Sequence, residues 1–296
     1  MKIKFVETSK IWITISVVVI LLGIGFAVFR GLNIGIDFSG GSLLYANIGK
    51  DYNVEDIREI VAKNGISADV IKAGDAQQDV IIRMQDTEGL LDIQKQIISD
   101  LQEKYNLTAD QFNIDTVGAT IGGELVKNAL MSLAIAFILM LAYIWFRFEL
   151  LTGAAAIVAL FHDILVMFAA VAILRVPINS SFVAALLTIV GYSINNTIVV
   201  FDRVRENRKR FGKKISNSEL VNKSINESIA RSINTSLTTL FTITMVYILG
   251  VESVKEFALP LIVGLIAGTY SSLFIAGPLW AWWSDLSVRE KASAAK

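Results

Sequence analysis

Asn195 and Asn196 stand side by side inside an apolar run, residues 181–201, that is long enough to cross a bilayer. An amide that finds no partner in hydrocarbon is costly, so both side chains are expected to face other helices. Asp163 falls 12 residues into a second apolar run that begins at Leu151. That is near mid-bilayer, where an acid is a functional hypothesis by default. Proton handling and a structural hydrogen bond to a neighbouring helix are both open for it. His162 is adjacent in sequence but points about 100° away around a helix. Arg231, Thr235, Thr238 and Thr242 recur at helical spacing and share one face. They form either an inward polar stripe or a set of hydroxyls bonded to their own backbone one turn back. The chemistry on offer is that of a polar relay or coupling site within a membrane.

Other chemistries lack their parts. With one histidine and no cysteine the chain offers no metal-binding cluster, no thiolate and no disulfide framework. No nucleophile constellation or phosphate loop is present, so neither an enzyme nor a cofactor is expected, and nothing points to nucleic acid. Hydrophobic residues make up 54% of the chain, which favours a polytopic membrane protein over a soluble core. The formal net charge of zero hides an asymmetry: residues 31–120 hold 15 acids and 7 bases, whereas 203–231 hold 9 bases and 3 acids. The two ends of the molecule therefore meet different surroundings.

The elements that must position these residues follow from period and length. Residues 1–31 read as a short tail and a first membrane helix, with Lys2, Lys4 and Lys10 ahead of the apolar run 11–29. No small-residue cleavage site follows, so a retained anchor with its N-terminus inside is expected. Residues 32–123 read as an extracytoplasmic domain of order βαββαβ, a ferredoxin-like α+β arrangement with two helices over one face of an antiparallel sheet. Its elements are expected at 42–48, 54–64, 68–73, 79–84, 90–105 and 112–117, with the middle strand pair joined through Gly74 and Asp75. The pairs Gly40-Gly41 and Gly122-Gly123 bracket the domain as a hinge or as tight turns. Residues 124–285 hold five more spans, at 129–146, 151–174, 181–201, about 233–250 and 257–283, for six transmembrane helices in all. The stripe Gly264, Gly268 and Ser272 in the last span reads as a packing seam. Basic residues in 202–231 place that segment in the cytoplasm as an amphipathic helix along the inner surface or against a partner. Residues 286–296 form a cytoplasmic tail. Trp12, Trp145, Trp280, Trp282 and Trp283 all fall at expected inner helix ends, which agrees with cytoplasmic N- and C-termini.

The stretch GYSINNTIVVFDRVREN, residues 191–207, closely resembles a helix signature of the SecD/SecF family, within the resistance-nodulation-division superfamily. Further matches lie at GIDFSGG (35–41), VGATIG (117–122), YIWFRFE (143–149), FHDILV (161–166) and RSINTSLTT (231–239). The resemblance implies an accessory subunit of the Sec protein translocase in the bacterial cytoplasmic membrane. It would act with SecD, the SecYEG translocon and YajC on unfolded preprotein, in export linked to the proton gradient. Asp37, Gly40, Gly41, Gly118, Asp202 and Arg203 are the implied hinge or docking positions. Many relatives carry an aspartate where this chain has Asn196, and an asparagine cannot titrate. Asp163 takes over, or SecD supplies the acid, or this half is passive; supply by SecD is the favoured reading. A small-molecule or lipid exporter of the same superfamily is the alternative, but the external domain is small and shows no long apolar stretch to line a substrate tunnel.

Overall fold

A computed structural model describes residues 3–66, 68–74, 77–212 and 214–294. Helix α1 spans Phe5–Arg30, and a single turn α2, Ile36–Ser39, leads into strand β1, Gly41–Asn47. Then come α3 (Val54–Lys63), β2 (Ala68–Ala73), β3 (Asp79–Gln85), α4 (Leu90–Tyr105) and β4 (Phe112–Val117). The four strands form one antiparallel sheet in the order β2-β3-β1-β4, which is the expected ferredoxin-like topology. Asp75 of the β2–β3 connection lies outside the described residues.

Local sequence explains these elements. Asn53 caps α3 by accepting a bond from the Glu55 amide at 3.1 Å, and Ile57, Ile60 and Val61 bury one face of the helix. Helix α4 stops at Asn106, which takes the left-handed conformation. Leu44 and Ile82, opposite one another on β1 and β3, are fully buried with Ile57, Ile97 and Leu101. Strand β4 is an edge whose Asn113 and Asp115 are exposed, and such polar side chains discourage further pairing. Gly41 has φ 132° and no room for a Cβ against the Met84 carbonyl. A Cβ on Gly122 would lie 3.1 Å from the Phe38 carbonyl and 3.2 Å from the Gly40 amide, a less severe contact. Within the pairs Gly41 and Gly122 are crowded, whereas Gly123 has open space around it. Gly118 precedes the next helix in open space, with an ordinary φ of −68°.

The remaining chain is helical: α5 (Ala119–Arg147), α6 (Leu150–Leu174), α7 (Ser180–Phe211), α8 (Asn217–Leu249) and α9 (Glu252–Ser271). A π-helical turn, Ser272–Ala276, carries α9 into α10, Gly277–Ala294. Six helical segments, counting 253–286 as one, are long and apolar enough to cross a membrane. Helices α6, α7 and α9 form the centre, around Met167, Phe182, Ala185 and Ile189. Helices α1 and α5 lie outside it with mostly exposed apolar surfaces. Gly23 of α1 sits directly against Ala169 of α6, with no space for a side chain.

Three expectations change. The segment after Asp202 is no separate surface helix: α7 continues to Phe211, and α8 starts at Asn217 and runs unbroken into the membrane. Its apolar stripe is covered by the chain itself, since Leu220, Val221 and Ile225 are buried and the last two meet Gly277. Trp280 is buried within the bundle, whereas Trp145 and Trp282 are exposed. The first turns of α1 also clip onto α8. The Val6 amide donates to Asn222 Oδ1 at 3.0 Å, Asn222 Nδ2 donates to Glu7 Oε2 at 2.8 Å, and Asn226 Nδ2 donates to the Ile3 carbonyl at 2.9 Å.

Candidate intramembrane coupling site

Small side chains on α9 let α7 approach closely enough for polar groups to meet. A Cβ on Gly268 would lie 3.1 Å from that of Ser193, and Ser272 Oγ is 2.8 Å from Thr197 Oγ1. In this seam Asp163 is fully buried. Its Oδ2 accepts from Ser193 Oγ of α7 and from Ser271 Oγ of α9, the latter at 2.9 Å. Oδ1 lies 2.9 Å from His162 Nδ1. The carboxylate thus joins α6, α7 and α9 at the residue before the π-helical turn. Such turns recur at functional sites. The expectation that His162 turns away from Asp163 fails, because Nδ1 lies close enough to the backbone to reach the next side chain. The imidazole stacks on Tyr270, with ring centroids 5.9 Å apart, and its Nε2 is buried without a partner among the described residues. Tyr270 in turn donates to the Trp12 carbonyl at 2.6 Å and accepts from Ser16 at 3.2 Å, which brings α1 into the network.

A second polar group centres on Ser236 of α8. Asn196 is buried and donates to Ser236 Oγ at 3.3 Å. Thr269 Oγ1 lies 2.7 Å and the Tyr192 hydroxyl 3.4 Å from the same oxygen. Asn195 does not join it. It is exposed, because it is turned about 100° from Asn196 and falls on the side of α7 away from α8 and α9.

The Arg231, Thr235, Thr238 and Thr242 stripe also departs from the inward expectation. All four are exposed, and each threonine hydroxyl donates to its own backbone, to Arg231 O at 2.8 Å, Thr235 O at 2.8 Å and Thr238 O at 3.0 Å. The inner face of α8 belongs instead to Ser224, Ser228, Ser232 and Ser236, all buried and spaced by four. That stripe was available in the sequence; threonine beside arginine merely looked more polar. The partners Ser193, Ser271 and Thr269 carried no comparable signal, since isolated hydroxyls are common in membrane helices.

Signature residues outside this layer brace its two ends. At the basic end, Arg147 Nη2 lies 3.3 Å from Asp202 Oδ1. Arg203 Nε reaches Glu227 of α8 at 2.7 Å, and Asn207 donates to the same carboxylate at 2.8 Å. At the sheet-domain end, Asp37 Oδ2 accepts from the Ser180 amide at 2.9 Å, and Asn179 Oδ1 from the Phe182 amide at 3.0 Å, so both cap α7. Arg83 of β3 reaches Glu256 of α9 at 3.3 Å and Asn33 at 3.3 Å, while Asn179 Nδ2 donates to Glu256 Oε2 at 2.7 Å. Among the described residues no group of acids and histidines has the makings of a metal site.

Known proteins resemble this chain in sequence and fold. Residues 97–286 match the family described as protein export membrane protein SecD/SecF, C-terminal. The protein translocase subunit SecF of Acidaminococcus fermentans is 38% identical over 286 residues, covering 94% of this chain and 96% of the relative. The SecF subunit of Helicobacter pylori is 31% identical, covering 93% and 85%. Among solved structures, SecDF of Thermus thermophilus, a translocon-associated membrane protein, superposes with a TM-score of 0.86 at 31% identity. The match covers 96% of this chain but only 39% of that one. SecDF in its super-membrane-facing form gives 0.73, over 99% and 40%. Sequence and fold agree along nearly the whole chain, which therefore belongs to the SecF family of protein translocase subunits.

Proposed function

We propose that this chain pairs with SecD as an accessory subunit of the Sec translocase, and that the exposed face of α7 and α8 is where SecD docks. The exposed polar face carries the reading. Asn195, Arg231, Thr235 and Thr238 lie on membrane-length helices but face away from the chain's own core. In hydrocarbon an arginine and an asparagine are disfavoured, and polar side chains commonly face another helix. A helix of SecD would cover them. The exporter alternative is not favoured, since the curated relatives are Sec subunits.

In this reading SecD supplies the titrating acid of proton-linked export, opposite exposed Asn195 and Arg231. Asp163 braces the three central helices, and the sheet domain lies outside the cytoplasmic membrane with both termini inside. SecYEG, YajC and unfolded preprotein are the further partners, and the work is mechanical. The sequence has no cysteine, so single cysteines at Asn195 and Thr238 report contacts cleanly. Both are expected to form disulfides with cysteines on a membrane helix of SecD in native membranes, while one at exposed Ile138 of α5 is not. If neither position links to SecD, the docking face is misplaced.

A further inference from the structure

The basic end of the bundle holds a second feature that the coupling site does not use. Arg147, Phe148, Glu149, Thr152, Arg205, Arg208 and Trp280 surround a polar cavity of about 130 Å³. Arg208 is paired with Glu149 at 3.0 Å and stands 5.8 Å from the Trp280 ring; Arg147 is paired with Asp202. Arg205 forms no hydrogen bond or ion pair among the described residues. Three guanidiniums thus face two carboxylates, which leaves one positive charge at the cavity. Phe148 and Glu149 also line a second cavity of about 570 Å³, which runs between α5 and α6 past Leu141, Ile144, Ala154 and Ile157. Its walls are apolar except for Glu149 at the shared end. From Phe148 back to Leu141 the groove extends about 10 Å toward mid-bilayer at 1.5 Å per residue.

We propose that this pair of cavities binds an anionic phospholipid, with the phosphate against Arg205 and Arg208 and an acyl chain between α5 and α6. The occupant follows from the order of the surfaces. A cationic cavity sits at the inner membrane surface, where anionic headgroups attract basic residues. It adjoins an apolar slot along the bilayer normal, the two sharing Phe148 and Glu149 as walls. Trp145, largely exposed beside the slot, lies at the level where indoles favour the interface. A protein helix laid in the groove would match the apolar walls but would leave the Arg205 charge uncompensated. The lipid satisfies both, and it would fasten loosely packed α5 to the centre through the ligand.

The test uses the purified full chain in nonionic detergent, with thermal melting and retained-lipid mass spectrometry after addition of phosphatidylglycerol, phosphatidylcholine or glycerol 3-phosphate. Phosphatidylglycerol is expected to bind preferentially and to raise the melting temperature, and glycerol 3-phosphate to do neither. Arg205→Gln should weaken phosphatidylglycerol binding about fivefold, as for loss of one basic residue near an anionic surface. Ala154→Phe should block the slot and abolish retention with the arginines intact, while Arg58→Gln in the sheet domain should leave the preference unchanged. Equal binding of the two lipids, or unaltered preference in both Arg205→Gln and Ala154→Phe, would overturn the proposal. Stabilisation by glycerol 3-phosphate equal to that by the lipid would reduce the feature to an anion site and would overturn it too.

Discussion

Arg83 on the sheet and Glu256 on membrane helix α9 form an ion pair across the junction of the two parts, with Nη2 3.3 Å from Oε1. Both side chains are largely withdrawn from solvent, and Asn33 and Asn179 extend the contact to the ends of α1 and α7. Truncating one partner leaves a desolvated charge, so Arg83→Gln or Glu256→Gln should cost roughly 1–3 kcal/mol of domain docking. Limited proteolysis of the link after β4 reads that loosening. The exchanged pair, Arg83→Glu with Glu256→Arg, should recover part of the protection. Protection unchanged in both single variants would show that the domain is held elsewhere.

Asp163 offers a test of brace against relay. Asp163→Asn removes one charged acceptor of two serine hydroxyls and should lower the melting temperature through a loss of about 1–3 kcal/mol. If the residue only braces α6, α7 and α9, preprotein export should fall in proportion to that loss. Ser193→Ala with Ser271→Ala should then reproduce both effects. Export abolished in a normally stable Asp163→Asn protein would move the proton site onto this residue.

Asn196 tests which half titrates. Asn196→Leu removes the bond to Ser236 and leaves that hydroxyl with fewer partners, so export should be impaired. Asn196→Asp introduces a titratable acid at this buried position and should be tolerated, with greater sensitivity to an uncoupler. Parental export in Asn196→Leu, with and without uncoupler, would reduce the position to packing.

Tyr52 sets an alkaline limit on the sheet domain. Its hydroxyl donates to the Asp79 carbonyl at 2.6 Å, and burial, with Asp79 nearby, pushes its pKa from 10.0 to about 12. A group whose pKa rises on folding stabilises the fold below its unfolded value and loses that contribution as pH climbs through the folded one. Stability should therefore decline between pH 10 and about 12. Tyr52→Phe should flatten that decline and cost about 1 kcal/mol at neutral pH. An unchanged alkaline slope in thermal melts would assign the loss to another group.

The sheet domain was legible because its signals are local. Period and alternating strands placed α3, α4 and the four strands to within a residue or so. The membrane spans were legible from length, but their rotation was not. Thr235 and Ser236 are neighbours on α8, yet one faces out and the other receives Asn196. The inward face of α8 meets Asn196 of α7 and Thr269 of α9, and no window along α8 contains them. The surroundings of His162 were hidden likewise, since the ring stacked on it belongs to Tyr270, 108 residues away.

The clip between the start of α1 and Asn222 and Asn226 of α8 bears on how the chain is made. Helix α1 enters the membrane first, yet its polar contacts, at Val6, Glu7 and Ser16, are with residues that emerge more than 200 positions later. Until α8 and α9 arrive, α1 can pack on α6 through Gly23 and Ala169 but leaves these polar groups unpaired. Long-range closure of this kind makes the last step of assembly the one that completes the first helix. A ribosome-stalled chain ending before Asn222 should therefore leave the start of α1 unlocked, its N-terminal residues open to protease until α8 is inserted.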